Sequence, residues 1–249
     1  CSDYAHSILE IKNPAHETLR NTILDISTLF SWAEGRGYTD FNPFYRLKLP
    51  LGRKKVQERI PWSDEDILRF LTSDFVNKNE FIATAIALYT GMRLDEICML
   101  KNKDIFDDLF HIYEGKTEAA RRVVPVHPVL KKIIVSNDSD DEEYILKGLV
   151  SGGYDKKRSG NFQKRHTRTR IKVNLPKGVV FHSLRNTVIT KLHNNLIPLY
   201  NIEQIIGHKQ KSVAFGVYSG GLAVQQLREI INGISYGNTI DNLILNYKI

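Results

Sequence analysis

A polar and basic stretch between two prolines divides the chain into two unequal parts. It covers residues 51–60, between Pro50 and Pro61, and its composition is typical of a linker. Its positive charges come from four residues: Arg53, Lys54, Lys55 and Arg59. A chain of 249 residues divided at this point predicts a short N-terminal part, residues 1–50, and one large domain, residues 61–249.

The N-terminal part predicts one long amphipathic helix. Asn13 and Pro14 fit the N-cap and the first helical position, and Gly35 and Gly37 end the pattern. Between them, apolar residues recur at alternating spacings of four and three: Leu19, Ile23, Ile26, Phe30 and Ala33. A single helix cannot bury its own apolar face, and few residues precede it. We therefore interpret residues 1–50 as the C-terminal part of a truncated helical domain.

The large part is predicted to be mainly helical with a small antiparallel β-sheet. Ser63 and Asp66 have the spacing of a helix cap, and a further helix over residues 80–90 should turn Ile82, Ile86 and Tyr89 inward. The other predicted elements are strands at 109–113 and 121–126 around a turn at 115–117, a helix from Pro128, an acidic loop at 137–143, a basic helix near 165–172, and three or four short helices from Phe181 onwards.

The charge of the chain favours a polyanionic partner. The net charge is +7 and the isoelectric point is near 9.3, and basic residues that neutralise phosphates release condensed counterions. The candidate DNA-binding residues are those of the linker and the basic helix: Lys54, Lys55, Arg165, Arg168 and Lys172. Cys1 and Cys98 cannot form a disulfide framework, Cys98 is expected to be buried, and a reducing, cytoplasmic setting is expected.

Four short segments carry candidate chemistry. They are Thr-Gly-Met-Arg-Leu-Asp-Glu-Ile at 90–97, Gly-Lys-Thr at 115–117, His-Ser-Leu-Arg at 182–185, and Gly-His at 207–208 with Tyr218 downstream. None is specific alone, since a single arginine, histidine or hairpin lysine is more often structural. In this order and spacing they resemble the tyrosine recombinases, the phage integrase family. The resemblance covers essentially the whole chain.

The resemblance implies a role for each matching residue. Arg93 and Arg185 correspond to the two catalytic arginines, Lys116 to the lysine of the β-hairpin, and Glu96 to the supporting acidic residue. His182 and His208 correspond to the two histidine positions, and Tyr218 to the nucleophile. It also implies that residues 1–50 end a core-binding domain, that residues 61–249 form the catalytic domain with a C-terminal tail, and that the protein belongs to a bacterium or a prophage.

The residue types suit phosphodiester exchange. A tyrosine hydroxyl can store the energy of the broken bond as an ester, and two guanidinium groups can hold the non-bridging oxygens in bidentate fashion. Lys116 is the candidate general acid, His182 the candidate general base, and His208 a hydrogen-bond donor to the phosphate. No cofactor and no metal are expected, because no carboxylates cluster outside the acidic loop and the Gly-Lys-Thr turn lacks the first glycine of an ATP-binding loop.

Three positions depart from the family pattern, and several questions stay open. Asn186 replaces a frequent histidine, Glu118 a common basic residue, and Tyr218 lies ten positions after His208 instead of about nine.

Alternative functions are a type IB topoisomerase-like enzyme and a catalytically silent DNA-binding relative. The expected partner is double-stranded DNA at specific recombination sites, bound by a homotetramer on paired sites. The tail, residues 222–249, either docks on a neighbouring subunit or packs on its own domain. Tyr89 and Tyr113 are interpreted as packing residues.

Overall fold

The computed structural model describes residues 16–47, 59–113, 121–137, 143–152, 156–208 and 222–247. The chain forms two compact units, Cys1–Glu58 and Arg59–Ile249. The boundary between the units falls inside the stretch that the sequence predicts as a linker. Lys54 and Lys55, which are predicted to bind DNA, lie outside the described residues. No helix within these ranges is long and apolar enough to cross a membrane.

The first unit is organised around one long helix, α1 (His16–Glu34), which ends directly before Gly35 as predicted. Leu19 and Ile23 are buried on this helix, and Phe44 and Leu47 pack against them. The amide of Asn42 donates 2.8 Å hydrogen bonds to the Ser27 carbonyl and the Ser31 hydroxyl, which ties the following segment back to the helix.

The second unit is mainly helical with one small sheet, which confirms the predicted fold class. Its described α-helices are α2 (Asp64–Leu71), α3 (Lys78–Thr90), α4 (Leu94–Met99), α5 (Pro128–Asn137), α6 (Ser159–Lys172), α7 (Ser183–Asn194), α8 (Leu199–Ile206), α9 (Val224–Asn232) and α10 (Gly237–Leu245). Three antiparallel strands form the sheet in chain order: β1 (Ile105–Phe106), β2 (Leu109–Ile112) and β3 (Arg122–Pro125). The short strand β1 was not predicted.

Helix α3 lies at the centre of the second unit. Its N-terminus is fixed by a capping box, in which Asn77 Oδ1 accepts from the Glu80 backbone at 2.8 Å and Glu80 Oε2 accepts from the Asn77 backbone at 3.2 Å. The sequence predicts one inward face, but every residue from 80 to 90 is buried. Because α4, α5 and α7 all pack against α3, the helix is covered on several sides.

The C-terminal helices pack on their own unit, which favours the second of the two alternatives for the tail. Leu227, Ile231, Ile240 and Ile244 are all buried in the main core, and α10 packs on α5. The hydroxyl of Tyr236 donates a 2.7 Å hydrogen bond to the Leu88 carbonyl in α3. Most of the apolar side chains of this segment are therefore covered within the chain, and Leu245 and Val224 stay exposed.

Candidate active site

Arg93 lies in the short connection between two helices. Gly91 ends α3 in the left-handed conformation, with φ of 65°, and Arg93 is the N-cap of α4. Glu96, one turn into α4, accepts a hydrogen bond from the Arg93 backbone at 2.8 Å through Oε2 and one from Arg93 Nη1 at 2.8 Å through Oε1. The structure thus joins Arg93 to the acidic residue that the sequence assigns a supporting role.

Arg185 reaches the same place from α7. Arg185 is only 3% exposed, and its Nη1 donates a 2.8 Å hydrogen bond to the Gly91 carbonyl. The buried Nη2 atom has no hydrogen-bond partner among the described residues. Burial, and then the positive charges of Arg93 and Arg122, lower the pKa of Arg185 to about 9, so the side chain is still charged at neutral pH. A buried guanidinium with an unused donor is suited to an anion that enters the site.

Both predicted histidines lie at helix ends beside these arginines. His182 precedes α7, and His208 follows α8 directly after Gly207, whose carbonyl accepts a 3.1 Å hydrogen bond from Arg93 Nη2. The two imidazoles are exposed, but partial burial lowers the pKa of each, and the charges of Arg185 and Arg93 lower both pKa values further. Both side chains are therefore mainly neutral at pH 7.

Sequence reasoning missed one residue of this cluster, Arg122 on β3. Its Nη2 donates to Glu96 Oε2 at 2.9 Å, its Nη1 to Glu96 Oε1 at 3.2 Å, and its Nε to the Ile205 carbonyl at 2.8 Å. Both side chains of this ion pair are 6% exposed. The period-two alternation of a strand was a usable signal, because it places Arg122 on the same face as the buried Val124.

The electrostatics of Glu96 follow from its partners. Burial alone would raise the pKa of this carboxyl, but the hydrogen bonds and charges of Arg122 and Arg93 outweigh burial and lower it. The described site therefore contains three arginines around one carboxylate, an excess of positive charge that favours an anionic ligand.

The structure brings together Arg93, Glu96, His182, Arg185 and His208. Lys116 and Tyr218 lie outside the described residues.

Tyr89, Tyr113 and Tyr236 of the second unit lie within the described residues. Tyr89 is buried, as predicted, and its hydroxyl donates a 2.5 Å hydrogen bond to Asp241. Burial raises the pKa of Tyr89 and of Tyr236, so neither hydroxyl ionises readily. Tyr113 lies one residue past the end of β2, is 55% exposed and stacks on His111 with ring centroids 6.1 Å apart, so its interpretation as a core packing residue is wrong.

The basic helix α6 exposes all three of its predicted DNA-binding residues, Arg165, Arg168 and Lys172. Arg165 also forms a 3.1 Å contact from its Nε to Glu80, whose side chain is fully buried, while 55% of the Arg165 side chain stays accessible. Because a buried carboxylate needs a partner, Arg165 contributes to the fold as well as to the basic surface. Binding of DNA by these three residues stays a prediction.

Comparisons with known proteins agree with this fold and site. The sequence model of the phage integrase family matches residues 65–220. A tyrosine recombinase of Thermosipho africanus is 29% identical over 210 residues, which cover 81% of this chain and 71% of the relative. The integrase of Escherichia phage HK022 is 22% identical over 218 residues, covering 83% of this chain and 58% of the relative. A lambda integrase tetramer bound to a Holliday junction has a similar fold, with a TM-score of 0.63, 18% identity, and coverage of 85% of this chain and 65% of that one.

The match to the family model spans more than half of the chain and includes the segments that carry Arg93, Glu96, His182, Arg185 and His208. The chain therefore belongs to the phage integrase family, the tyrosine recombinases. It is a DNA breaking-and-rejoining enzyme of site-specific recombination, in a family whose reaction needs neither ATP nor a metal ion. Among the described residues, no three or more His, Cys, Asp or Glu side chains are grouped so that they could hold a metal ion.

Proposed function

We propose that the scissile phosphate binds between Arg93 and Arg185, within reach of His182 and His208, and is attacked by Tyr218. The observation that carries this assignment is the buried Nη2 of Arg185, a donor with no partner in the described part of the chain. Arg93 lies beside it with a side chain that is 35% exposed, so its guanidinium is open to a ligand. Two planar, positively charged groups at one place suit the non-bridging oxygens of a phosphodiester.

The arginines would act mainly on the transition state. Negative charge gathers on the non-bridging oxygens as the phosphorus becomes pentavalent, and preorganised donors stabilise that charge without reorganising. Removal of one such donor typically costs about 3–4 kcal/mol of transition-state stabilisation. The fold has already placed Arg93 and Arg185 by hydrogen bonds to Glu96, Gly207 and Gly91, so little ordering is needed when DNA binds.

Proton transfer is assigned to His182 and Lys116. The Tyr218 hydroxyl attacks phosphorus and gives its proton to His182, which the lowered pKa keeps neutral and ready to accept at pH 7. The bond from phosphorus to the 5′ oxygen breaks, and Lys116 protonates the leaving oxygen. The products are a 3′-phosphotyrosine and a free 5′-hydroxyl, and attack by a 5′-hydroxyl of the partner strand reverses these steps.

The partners of the reaction are proposed from the relatives. The chain would act on double-stranded DNA at specific recombination sites and assemble as a homotetramer on paired sites, as the lambda integrase tetramer on a Holliday junction suggests. Residues 1–50 would form the C-terminal part of a core-binding domain, and residues 61–249 the catalytic domain. The Thermosipho and phage HK022 relatives favour a bacterial or prophage origin, and hence action in the cytoplasm at the nucleoid.

The experiment that tests this assignment is covalent trapping on nicked DNA. A nicked duplex carrying the core site is incubated in excess chelator with wild type, with Tyr218→Phe, and with Tyr113→Phe as a matched control at an exposed tyrosine. Wild type and the Tyr113 variant should form a protein–DNA adduct that maps to Tyr218, and Tyr218→Phe should form none. An undiminished adduct in Tyr218→Phe would refute the nucleophile.

The same substrates separate the alternatives. A catalytically silent relative would bind the site and form no adduct with any variant. A type IB topoisomerase-like enzyme would form the adduct and relax supercoiled plasmid, but would yield no recombinants from paired sites. The recombinase proposal expects both the adduct and recombinant products.

A further inference from the structure

Arg122 connects three elements of the second unit from a buried position. Its side chain begins on β3, its two terminal nitrogens contact both carboxylate oxygens of Glu96 in α4, and its Nε donates to the carbonyl of Ile205 in α8. Both partners of the ion pair are 6% exposed. A planar guanidinium is the side chain that can hold a carboxylate in bidentate fashion and bind a carbonyl with its remaining donor.

The carboxylate that Arg122 holds is the same one that holds Arg93. Glu96 Oε1 accepts from Arg93 Nη1 at 2.8 Å and from Arg122 Nη1 at 3.2 Å. Glu96 Oε2 accepts from the Arg93 backbone at 2.8 Å and from Arg122 Nη2 at 2.9 Å. Each carboxylate oxygen therefore accepts one hydrogen bond from Arg93 and one from Arg122. Arg122 thus helps to hold the plane of the carboxylate, which orients the Arg93 guanidinium together with the Gly207 carbonyl.

Sharing the carboxylate also leaves positive charge available for DNA. A single Arg93–Glu96 pair would be nearly neutral, and its arginine would attract a phosphate weakly. With Arg122 on the other side, one negative charge is divided between two positive charges, so the group retains a net charge of about +1 at neutral pH. Arg93 is the exposed member of the group, with 35% of its side chain accessible. The excess charge is therefore presented at the surface where a phosphate arrives.

We propose that Arg122 is a positioning residue for strand cleavage, which orients Glu96 so that Arg93 presents a charged and correctly directed guanidinium to the scissile phosphate. This inference rests on the proposed role of Arg93. It assigns Arg122 no contact with DNA, because the side chain is only 6% exposed and holds Glu96 and the Ile205 carbonyl.

The first test uses Arg122→Lys, which keeps the charge but loses the bidentate contact, and Arg122→Met, which loses both. Cleavage of nicked DNA is measured in single turnover at saturating DNA, together with the Kd for the site and the Tm. We expect both variants to cleave more slowly, by up to about 100-fold, with the Kd nearly unchanged in Arg122→Lys, which keeps the charge, and raised in Arg122→Met, which loses it. If the methionine variant fails to fold, the lysine variant decides. A cleavage rate in Arg122→Lys equal to wild type would overturn the proposal.

The matched control is Arg69→Met. Arg69 forms a 2.8 Å ion pair with Glu65 on the surface of α2, so the variant removes the same charge and the same kind of pair from an exposed place. Its cleavage rate should equal that of wild type. A loss as large as in the Arg122 variants would show that the effect comes from total charge, and would overturn the positioning role.

The deciding test is a double-mutant cycle with Arg93→Lys. If Arg122 acts through Arg93, then Arg122→Lys should cost much less in the Arg93→Lys background than in wild type, because the guanidinium it orients is gone. A purely structural role predicts that the two losses multiply, and that result would overturn the inference. Failure of the proposed function is distinguishable, since Arg93→Lys alone would then cleave as fast as wild type.

Discussion

The guanidinium of Arg122 lies against Gly207 so closely that a Cβ atom on Gly207 would fall 2.7 Å from Nη1 and 2.9 Å from Cζ. Gly207 also has a φ of 68°, which ends α8 and turns the chain toward His208. Two separate demands therefore require glycine at this position: a left-handed backbone, and space for a buried side chain that cannot be shifted without breaking its bonds to Glu96.

The first prediction compares Gly207→Ala with Gly148→Ala. Gly148 has a similar φ of 65°, but a Cβ there would meet nothing within 4 Å. In the Gly148 variant the free energy of unfolding should fall by only about 1–2 kcal/mol, which is the cost of placing alanine in the left-handed conformation. This variant should cleave DNA normally. The Gly207 variant should lose more stability and also most of its cleavage rate. Denaturant unfolding and single-turnover cleavage measure the two effects, and equal behaviour of the variants would contradict the packing argument.

The second prediction concerns two buried arginines with opposite effects on stability. Arg185 is 3% exposed and its protein partner is a neutral carbonyl, so its buried charge destabilises the fold. Arg185→Met should therefore leave the free energy of unfolding unchanged or raise it by about 1 kcal/mol. Its cleavage rate should fall about 100- to 1,000-fold. Arg122→Met should instead destabilise the fold by about 1–3 kcal/mol, because the buried Glu96 loses one of its two arginine partners and keeps Arg93. A large loss of stability in Arg185→Met would contradict the assignment of Arg185 to an anion.

The third prediction is the pH dependence of kcat/KM, which reports the free enzyme. Burial, followed by the charges of Arg59, Arg185, Arg93 and His208, lowers the pKa of His182 below the ordinary value of 6.5. Because His182 must be neutral to accept a proton, activity should fall only at a pH below the ordinary imidazole pKa of 6.5, and should be level through neutrality. An acid limb centred above pH 7 would contradict His182 as the base.

A variant at Arg59 tests the cause of that shift. Removal of this positive charge in Arg59→Met makes the imidazolium less unfavourable, so the pKa of His182 and the acid limb should both rise. The control is Lys131→Met, which removes one positive charge from an exposed ion pair with Asp108. Its acid limb should stay where it is in wild type.

Local signals and the order of the motifs predicted most of this structure. The Ser63 cap is present, with its hydroxyl accepting from the Asp66 backbone at 3.1 Å, and the helices ending near Gly35 and beginning at Pro128 are where their caps and glycines indicate. These features depend on residues within one helical turn, where spacing determines contact. The arginine and histidine cluster was found because its members occur in a fixed order along the chain.

Features that depend on distant partners could not be predicted in the same way. The bond between Arg122 and Ile205 joins residues 83 positions apart, and that between Arg165 and Glu80 joins residues 85 positions apart. A basic side chain on an amphipathic helix gives no sign of whether its partner is a phosphate or a buried carboxylate. The sequence therefore predicts Arg165 as a DNA contact, which stays a prediction, but gives no sign of its ion pair with Glu80.

The last prediction concerns the C-terminal helix α10, whose final residues have opposite environments. Ile244 is fully buried and Leu245, its neighbour in sequence, is 39% exposed. Ile244→Ala should therefore cost about 2–5 kcal/mol of unfolding free energy, whereas Leu245→Ala should change it by less than about 1 kcal/mol. Truncation after Gly233 removes Tyr236, Ile240 and Ile244 from the core together, so the shortened chain should fail to fold instead of merely losing assembly. If the truncated chain kept its Tm and its affinity for DNA, this segment would not be part of the core in solution, and docking on a neighbouring subunit would be the better interpretation.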